Sequence, residues 1–223
     1  MNFINFYGRR LSHLSEKSQN LLDHVLPKYL IDVNDINNIL LKANQTHQEV
    51  NLEIGFGSGD FLSASVINNP NKFYLGVEVF LNGVSNLLEK IHNNNVGNLR
   101  LYNDNIHYIL DALNENMFDN IFILFPDPWP KSKHNKRRII NTNNLMIFHK
   151  ILKPSGKLRF VSDHYNYVSW GLEHILGSGD FIWDINDTKD FTQAPVGHIT
   201  TKYERKALVN NSKITYCDFI NKK

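Results

Sequence analysis

Asp127 and Trp129 stand among three prolines in Phe125-Pro126-Asp127-Pro128-Trp129-Pro130, and Lys131, Lys133, His134, Lys136, Arg137 and Arg138 follow. A carboxylate, a flat aromatic and a cationic run, in that order, suit a polyanion whose base is held and worked on. Each part alone has a plainer explanation: the run as a solvated face, Asp-Pro-Trp-Pro as a turn. Arriving together, directly after an apolar segment, they point to a site. A second group of residues lies at Glu53-Ile54-Gly55-Phe56-Gly57-Ser58-Gly59-Asp60. Its glycines resemble the dinucleotide fingerprint G-x-G-x-x-G, but Asp60 occupies the place of the third glycine. A pyrophosphate on the following helix N-terminus would meet that carboxylate, and Glu53 adds a second negative charge. Acids beside close-approach glycines favour a cationic ligand without phosphate. S-adenosylmethionine, with its sulfonium and amino groups, meets that description, and a nicotinamide dinucleotide does not.

Two further acids extend this second group. Glu78 ends the apolar run Phe73–Val77, about 20 residues past the glycine turn, where an acid can accept from both ribose hydroxyls. Asn103-Asp104 follows the run Leu99–Tyr102, at the depth of an adenine amino group, although Asn-Asp is also ordinary turn chemistry.

Such residues must be carried on strand ends. Asn120–Phe125 is short and apolar, as in a strand buried on both faces. The prolines after it remove donors and fix φ, so the chain must leave the sheet in a stiff, extended loop. Lys157–Ser162 reads as a fifth strand, which sets Asp163 and His164 on the same rim as Asp127. Helices are expected over Ser18–Leu30 with Ser18 as N-cap, over 34–43, after the glycine turn, and over Gly83–His92, Ile140–Leu152 and roughly Tyr167–Leu176. Shorter strand-like pieces fall at Phe181–Asp184, Tyr203–Val209 and Ile214–Ile220, with Thr200–Lys206 as a polar loop rich in hydrogen-bonding groups. Gly177-Ser178-Gly179-Asp180-Phe181 repeats the letters of residues 57–61, but after a helix and before a strand its glycines read as a C-cap and turn.

Length and composition bound the rest. A chain of 223 residues with 42% hydrophobic and 21% charged side chains suits one α/β domain, and no linker divides it. That domain is expected over 21–223, preceded by a basic flexible arm, 1–20, in which Arg9 and Arg10 beside Tyr7 suit RNA as well as they suit a frayed terminus. Net charge is only +2, so affinity for nucleic acid must come from a local patch. The single Cys217 excludes an internal disulfide and fits a reducing compartment. No stretch has the roughly 18–20 apolar residues of a membrane span, and the N-terminus lacks a signal peptide's apolar core, so a cytoplasmic protein is expected. The histidines form no H-x-x-x-H pair and have no cysteine partner, so no metal is expected; G-x-S-x-G and P-loop motifs are absent.

The segments LEIGFGSG at 52–59, GVEV at 76–79, ND at 103–104, FPDPWPKSKHNKRR at 125–138, SD at 162–163 and TKYE at 201–204 have a common likeness. Together, and in that order, they resemble the bacterial tRNA (guanine-N7-)-methyltransferase family over almost the whole chain. The resemblance implies an α/β, Rossmann-like class I methyltransferase fold: a mostly parallel seven-stranded sheet flanked by helices in a single domain. It implies methyl transfer from S-adenosyl-L-methionine to N7 of a guanine in the tRNA variable loop; the sequence leaves monomer and homodimer both open. By matching position, Glu53, Glu78, Asp104 and Asp127 would contact the cofactor beside Gly55, Gly57 and Gly59, with Asp127 the catalytic carboxylate. Lys131, Asp163, Thr201, Lys202, Tyr203 and Glu204 would hold the substrate, and Lys133, His134, Asn135, Lys136, Arg137 and Arg138 would contact RNA. There is one departure. After TKYE the family usually has x-R-G, whereas Arg205-Lys206-Ala207 stands here, keeping the charge and losing the glycine's backbone freedom. Two other readings stay open. Asp-Pro-Trp-Pro is reminiscent of the D/N-P-P-Y loop of amino-group methyltransferases of small-molecule or protein substrates, which the basic run opposes. A catalytically idle RNA-binding module is opposed by Glu53, Glu78 and Asp127 occurring together.

Overall fold

The computed structural model describes residues 14–223, which fall into two compact units meeting in sequence between Leu113 and Asn114. The first holds α1 (Glu16–His24), a 3-10 turn (Leu26–Lys28), α2 (Ile36–Thr46), β1 (Glu49–Ile54), α3 (Asp60–Asn68), β2 (Lys72–Val77), α4 (Leu81–Ile91), β3 (Leu99–Tyr102) and α5 (His107–Leu110). β1, β2 and β3 are parallel, and Ile54 pairs with Val77 while Val77 pairs with Tyr102. One step further along each strand lie Gly55, Glu78 and Asn103. The register alone therefore brings the three sequence segments to one level at the carboxyl edge, where open α/β sheets take ligands.

Helix α1 starts earlier than the sequence suggests. Ser15, not Ser18, is the N-cap, and its hydroxyl accepts from the Ser18 amide at 3.1 Å. The helix also stops at His24, because Pro27 lacks the N–H that a continued α-helix would need, and the chain tightens into the 3-10 turn. Most of the expected basic arm lies outside the described residues, and from Glu16 the chain is already helical.

The second unit holds β4 (Phe118–Leu124), a 3-10 helix (Ser132–Arg137), α6 (Thr142–Ile151), β5 (Leu152–Ser162), α7 (Tyr165–Gly177), β6 (Phe181–Trp183), α8 (Lys189–Thr192), α9 (Lys202–Val209) and β7 (Thr215–Asn221). β4 and β5 are parallel, with Leu124 against Val161, whereas β7 runs antiparallel to both β5 and β6. The strands form one seven-stranded sheet in the order β3-β2-β1-β4-β5-β7-β6. Ile121, Ile123, Phe148, Leu158, Phe160, Tyr167 and Phe219 make the buried centre of this unit.

Three local expectations are corrected. Residues 202–209 form a helix instead of a strand, because Thr201 and Glu204 close a capping box at its start. Strand β4 ends at Leu124, since Phe125 adopts φ 51° and turns the chain out of the sheet one residue early. Lys153-Pro154-Ser155-Gly156, whose letters read in sequence as the stop of the Ile140–Leu152 helix, does not lie beyond that helix as a separate turn. It belongs to β5, where the pairing jumps from Leu152 against Phe118 to Lys157 against Asn120. The repeated Gly-Ser-Gly letters behave as expected: Gly177 closes α7 and Gly179 is left-handed at φ 78°.

Candidate active site

In the first unit Gly55, Gly57 and Gly59 all have positive φ (73°, 54° and 68°), and Gly59 is the N-cap of α3. Side chains other than glycine rarely adopt that conformation, so the turn presents bare backbone at the strand edge. Glu78, 6% exposed, holds this turn in place. One of its carboxylate oxygens accepts from the Gly57 amide at 2.8 Å, and the other from the Val79 and Phe80 amides at 2.8 and 2.9 Å. Glu78 thus organises the backbone around the site, and any ribose contact is added to that network. Asn103 donates from its side-chain amide to the Glu78 carbonyl at 2.6 Å, and Asp104 Oδ1 accepts from the Asn105 amide at 2.7 Å. The ends of β2 and β3 are therefore laced together.

Asp60 behaves differently from its sequence reading. It is ion-paired with Lys90 of α4, whose ammonium also donates to the Ser58 carbonyl at 2.6 Å. Much of its charge is therefore already answered. Glu53 is the acid buried without a full set of partners. It is 2% exposed, and its Oε2 has no hydrogen-bond partner. Burial first, then the charges of Glu78 and Asp60, push its pKa from the ordinary 4.5 up to about 8. A buried carboxyl oxygen without a donor costs free energy unless something supplies one. An ammonium-bearing ligand supplies it, so the residues present fit S-adenosylmethionine.

In the second unit Phe125 (φ 51°) and Trp129 (φ 44°) bracket Pro126-Asp127-Pro128 in left-handed conformations that non-glycine residues adopt at a cost. Arg138 secures the loop. It is 3% exposed, donates from Nε to the Pro128 carbonyl at 2.9 Å, and packs over the rings of Tyr167 and Trp170 at 4.9 and 5.0 Å. The sequence groups Arg138 with the RNA-facing run; the structure turns it inward instead, because two aromatic faces and a bare carbonyl satisfy it there. The indole of Trp129 meets the Arg137 guanidinium at 4.8 Å and the edge of His134 at 5.9 Å, which ties the loop to the basic 3-10 helix. Asp127 faces solvent in a partly enclosed setting, and burial raises its carboxyl pKa. Lys131, Lys133 and Lys136 are exposed, whereas His134, Asn135 and Arg137 are half-buried. Burial and then the neighbouring cations lower the His134 pKa, which favours its neutral form. Asp163 stands exposed just past the end of β5, as expected.

The TKYE segment divides in two. Thr201 and Glu204 are buried and committed to structure. Thr201 Oγ1 accepts from the Glu204 amide at 3.1 Å, Tyr216 donates its hydroxyl to Glu204 Oε1 at 2.6 Å, and His198 Nε2 lies 2.6 Å from Glu204 Oε2. Lys202 and Tyr203 face outward. Sequence reasoning overlooked Lys90, His198 and Tyr216, which belong to no motif. The capping box was visible as Thr-x-x-Glu.

A family model described as a methyltransferase matches residues 47–217. The tRNA (guanine-N(7)-)-methyltransferase of Agrobacterium fabrum (strain C58 / ATCC 33970) is 36% identical over 220 residues, covering 97% of this chain and 95% of that protein. The chain belongs to the tRNA (guanine-N7-)-methyltransferase family. A family member from Bartonella henselae is 38% identical over 226 residues, again covering 97% and 95%. A bifunctional methyltransferase of Rickettsia prowazekii is 40% identical over 212 residues, which are 95% of this chain but 39% of that longer protein. Among solved structures, a 16S rRNA (adenine(1408)-N(1))-methyltransferase from Catenulisporales acidiphilia, determined with cosubstrate SAM, superposes with a TM-score of 0.60. It covers 86% of this chain and 92% of its own at 15% identity. The 16S rRNA methyltransferase KamB gives a TM-score of 0.61 at 12% identity, covering 83% and 93%. At such identities the likeness shows the fold the family shares with these enzymes.

Proposed function

We infer that this protein methylates N7 of a guanine in the variable loop of tRNA, using S-adenosyl-L-methionine. The observation that carries the reading is the full-length kinship to tRNA (guanine-N7-)-methyltransferases. The buried, donor-less Glu53 beneath the glycine turn supports the choice of a cationic cofactor. When bound, S-adenosylmethionine supplies an electrophilic methyl group on a sulfonium.

Glu53, Glu78, Asp104 and the glycine turn are the residues that would hold that cofactor. Asp127 need not act as a base, because guanine N7 carries an in-plane lone pair and no proton. Its role is electrostatic. Positive charge builds on the guanine imidazole ring during transfer, and a carboxylate set against that ring stabilises the change. Lys131 and Asp163 orient the base, and Lys133, His134, Lys136 and Arg137 meet the RNA backbone. Holding base and methyl donor in line supplies much of the remaining acceleration.

Among the described residues no cluster of three or more His, Cys, Asp or Glu could hold a metal, and no helix is long and apolar enough to cross a membrane. The reading takes the enzyme to act in the cytoplasm, without a metal, as a monomer or homodimer. The deciding experiment incubates purified enzyme with tRNA and cofactor, digests the RNA and identifies the modified nucleoside by mass. The expected product is 7-methylguanosine in variable-loop fragments; a different modified base, or none, overturns the reading.

A further inference from the structure

Helix α4 presses on the glycine turn of the first unit with a single face. Gly83, Leu87 and Lys90 stand at positions i, i+4 and i+7, which lie on one side of a helix. Each meets a different part of residues 57–60. A Cβ on Gly83 would lie 2.3 Å from the Gly57 carbonyl oxygen, and a Cβ on Gly59 would lie 2.7 Å from the Leu87 Cβ. Lys90 donates to the Ser58 carbonyl at 2.6 Å and is ion-paired with Asp60 Oδ1. The Ser58 hydroxyl donates to the other Asp60 oxygen at 3.2 Å. Gly83 and Leu87 act by shape alone, whereas Lys90 brings a charge to the same contact.

That charge enters a group of acids. Glu53 on β1, Glu78 just after β2 and Asp60 at the start of α3 are close enough to repel one another, and the effect is felt at Glu53. Its carboxyl is pushed up by burial first, and then by Glu78 and Asp60. The other ionisable side chains near these residues are Tyr74 on β2, which feels the charge of Glu53, and Glu89, His92 and Lys17 along α4 and α1. Glu89 is paired with Lys17, so Lys90 is left to Asp60 and the turn. The Lys90 and Asp60 side chains are 35% and 16% exposed, which leaves their interaction only partly screened by water.

We propose that Lys90 is a positioning residue of the cofactor site: it tethers the glycine turn to α4 and, by offsetting Asp60, leaves the Glu53 carboxyl free to ionise against the cofactor's cationic groups. The proposal rests on S-adenosylmethionine being the cofactor and not on which base is methylated. Lys90 need not touch the cofactor. It acts through the Ser58 carbonyl, which fixes the path of the turn, and through Asp60, whose negative charge would otherwise oppose a second one on Glu53. The two actions have separate signatures, because a tether changes affinity at every pH whereas a charge moves the pH at which affinity changes.

The test measures S-adenosylmethionine affinity by calorimetry from about pH 5.5 to about pH 9 for wild type, Lys90→Met, Lys90→Arg and Asp60→Asn, with melting temperatures alongside. The cofactor's own amino group titrates identically in all four, so differences between them report the protein. Lys90→Met keeps the aliphatic stem and leaves Asp60 unopposed. It should weaken binding about three- to tenfold near pH 7 and move the midpoint of the pH dependence up by about 0.5 unit. Asp60→Asn removes the negative charge and leaves the cation, so its midpoint should move down by about the same amount. Lys90→Arg keeps the charge and should restore the wild-type midpoint. Should Lys90→Met melt well below wild type, the direction of the Asp60→Asn shift decides. Midpoints unmoved in both charge-removing variants, or wild-type affinity in Lys90→Met, would overturn the proposal while leaving the cofactor in place. A wild-type protein that binds no S-adenosylmethionine would instead overturn the cofactor assignment, and the proposal with it.

Discussion

At the scale of single residues, the two acids with raised carboxyl pKa values are buried Glu53 and solvent-facing Asp127. Glu53 titrates near 8 in the folded chain against about 4.5 in the unfolded one, so the unfolded state loses this proton first as pH rises. Stability from this group therefore falls between about pH 4.5 and 8 and is level above. Glu53→Gln removes that slope, and thermal melts across this window should show a flatter profile with higher stability at pH 8. The same carboxyl should give up its proton when a cationic cofactor arrives. Affinity for S-adenosylmethionine should then strengthen with pH, by up to about tenfold per unit below 8, and level off above it. Calorimetry in buffers of different ionisation enthalpy reads the released proton; binding without pH dependence would remove Glu53 from the cofactor's charge balance. Asp127 offers the complementary case. Its raised pKa means the fold disfavours its charge, so Asp127→Asn should melt at the same or higher temperature while turnover falls at least about a hundredfold. A variant with full turnover would rule out the electrostatic role.

Elements place these residues, and close backbone approach is what makes the placement tight. A Cβ added to Gly83, in the first turn of α4, would lie 2.3 Å from the Gly57 carbonyl oxygen and 3.3 Å from the Glu78 Cγ. The obstacle is backbone, so relief requires α4 to move away from the glycine turn. Gly83→Ala should cost about 1–3 kcal/mol and weaken cofactor binding at least about tenfold, measured by denaturant melts and calorimetry side by side. Wild-type affinity in that variant would show that the turn tolerates displacement. The glycines at 55, 57 and 59 announced themselves in the sequence, whereas Gly83 did not, because its constraint comes from a neighbour 26 positions away. The same distinction explains the rest. Strand ends at Glu78, Asn103 and Asp163 follow from apolar runs that stop at polar residues, a local signal. Lys90 on Asp60 and Arg138 on Pro128, Tyr167 and Trp170 are made by tertiary packing, which periodicity does not encode. Helix α9 was readable, since Thr201-x-x-Glu204 states a helix start, but the β-branched and aromatic residues nearby suggested a strand instead. Thr201→Ala should cost about 1 kcal/mol through loss of the cap, visible as a lower melting temperature with cofactor affinity unchanged.

Across the molecule, a net charge of +2 on 223 residues gives little long-range attraction for a polyanion, so RNA affinity must be concentrated in patches. The run at 131–138 looks uniform in sequence and is not uniform in space. Lys133 and Lys136 are exposed and Arg137 is half-buried against Trp129, while Arg138 is 3% exposed beneath the loop. Neutralising these residues should therefore give two distinct signatures. Lys133→Ala, Lys136→Ala and Arg137→Ala should each lower the log–log salt slope of tRNA binding by about 1, because a phosphate that no cation neutralises keeps its condensed counterions. Their effect on melting temperature should be small, as for most exposed charges. Arg138→Ala should do the reverse. It leaves the Pro128 carbonyl without its donor and strips a cation from two aromatic faces, so a loss of about 2–4 kcal/mol in stability is expected. The salt slope should change little, and turnover should fall because the loop bearing Asp127 is no longer held. Salt titrations and denaturant melts on the four single variants separate the cases. A slope change for Arg138→Ala as large as that for Lys136→Ala would mean that Arg138 turns outward when RNA binds.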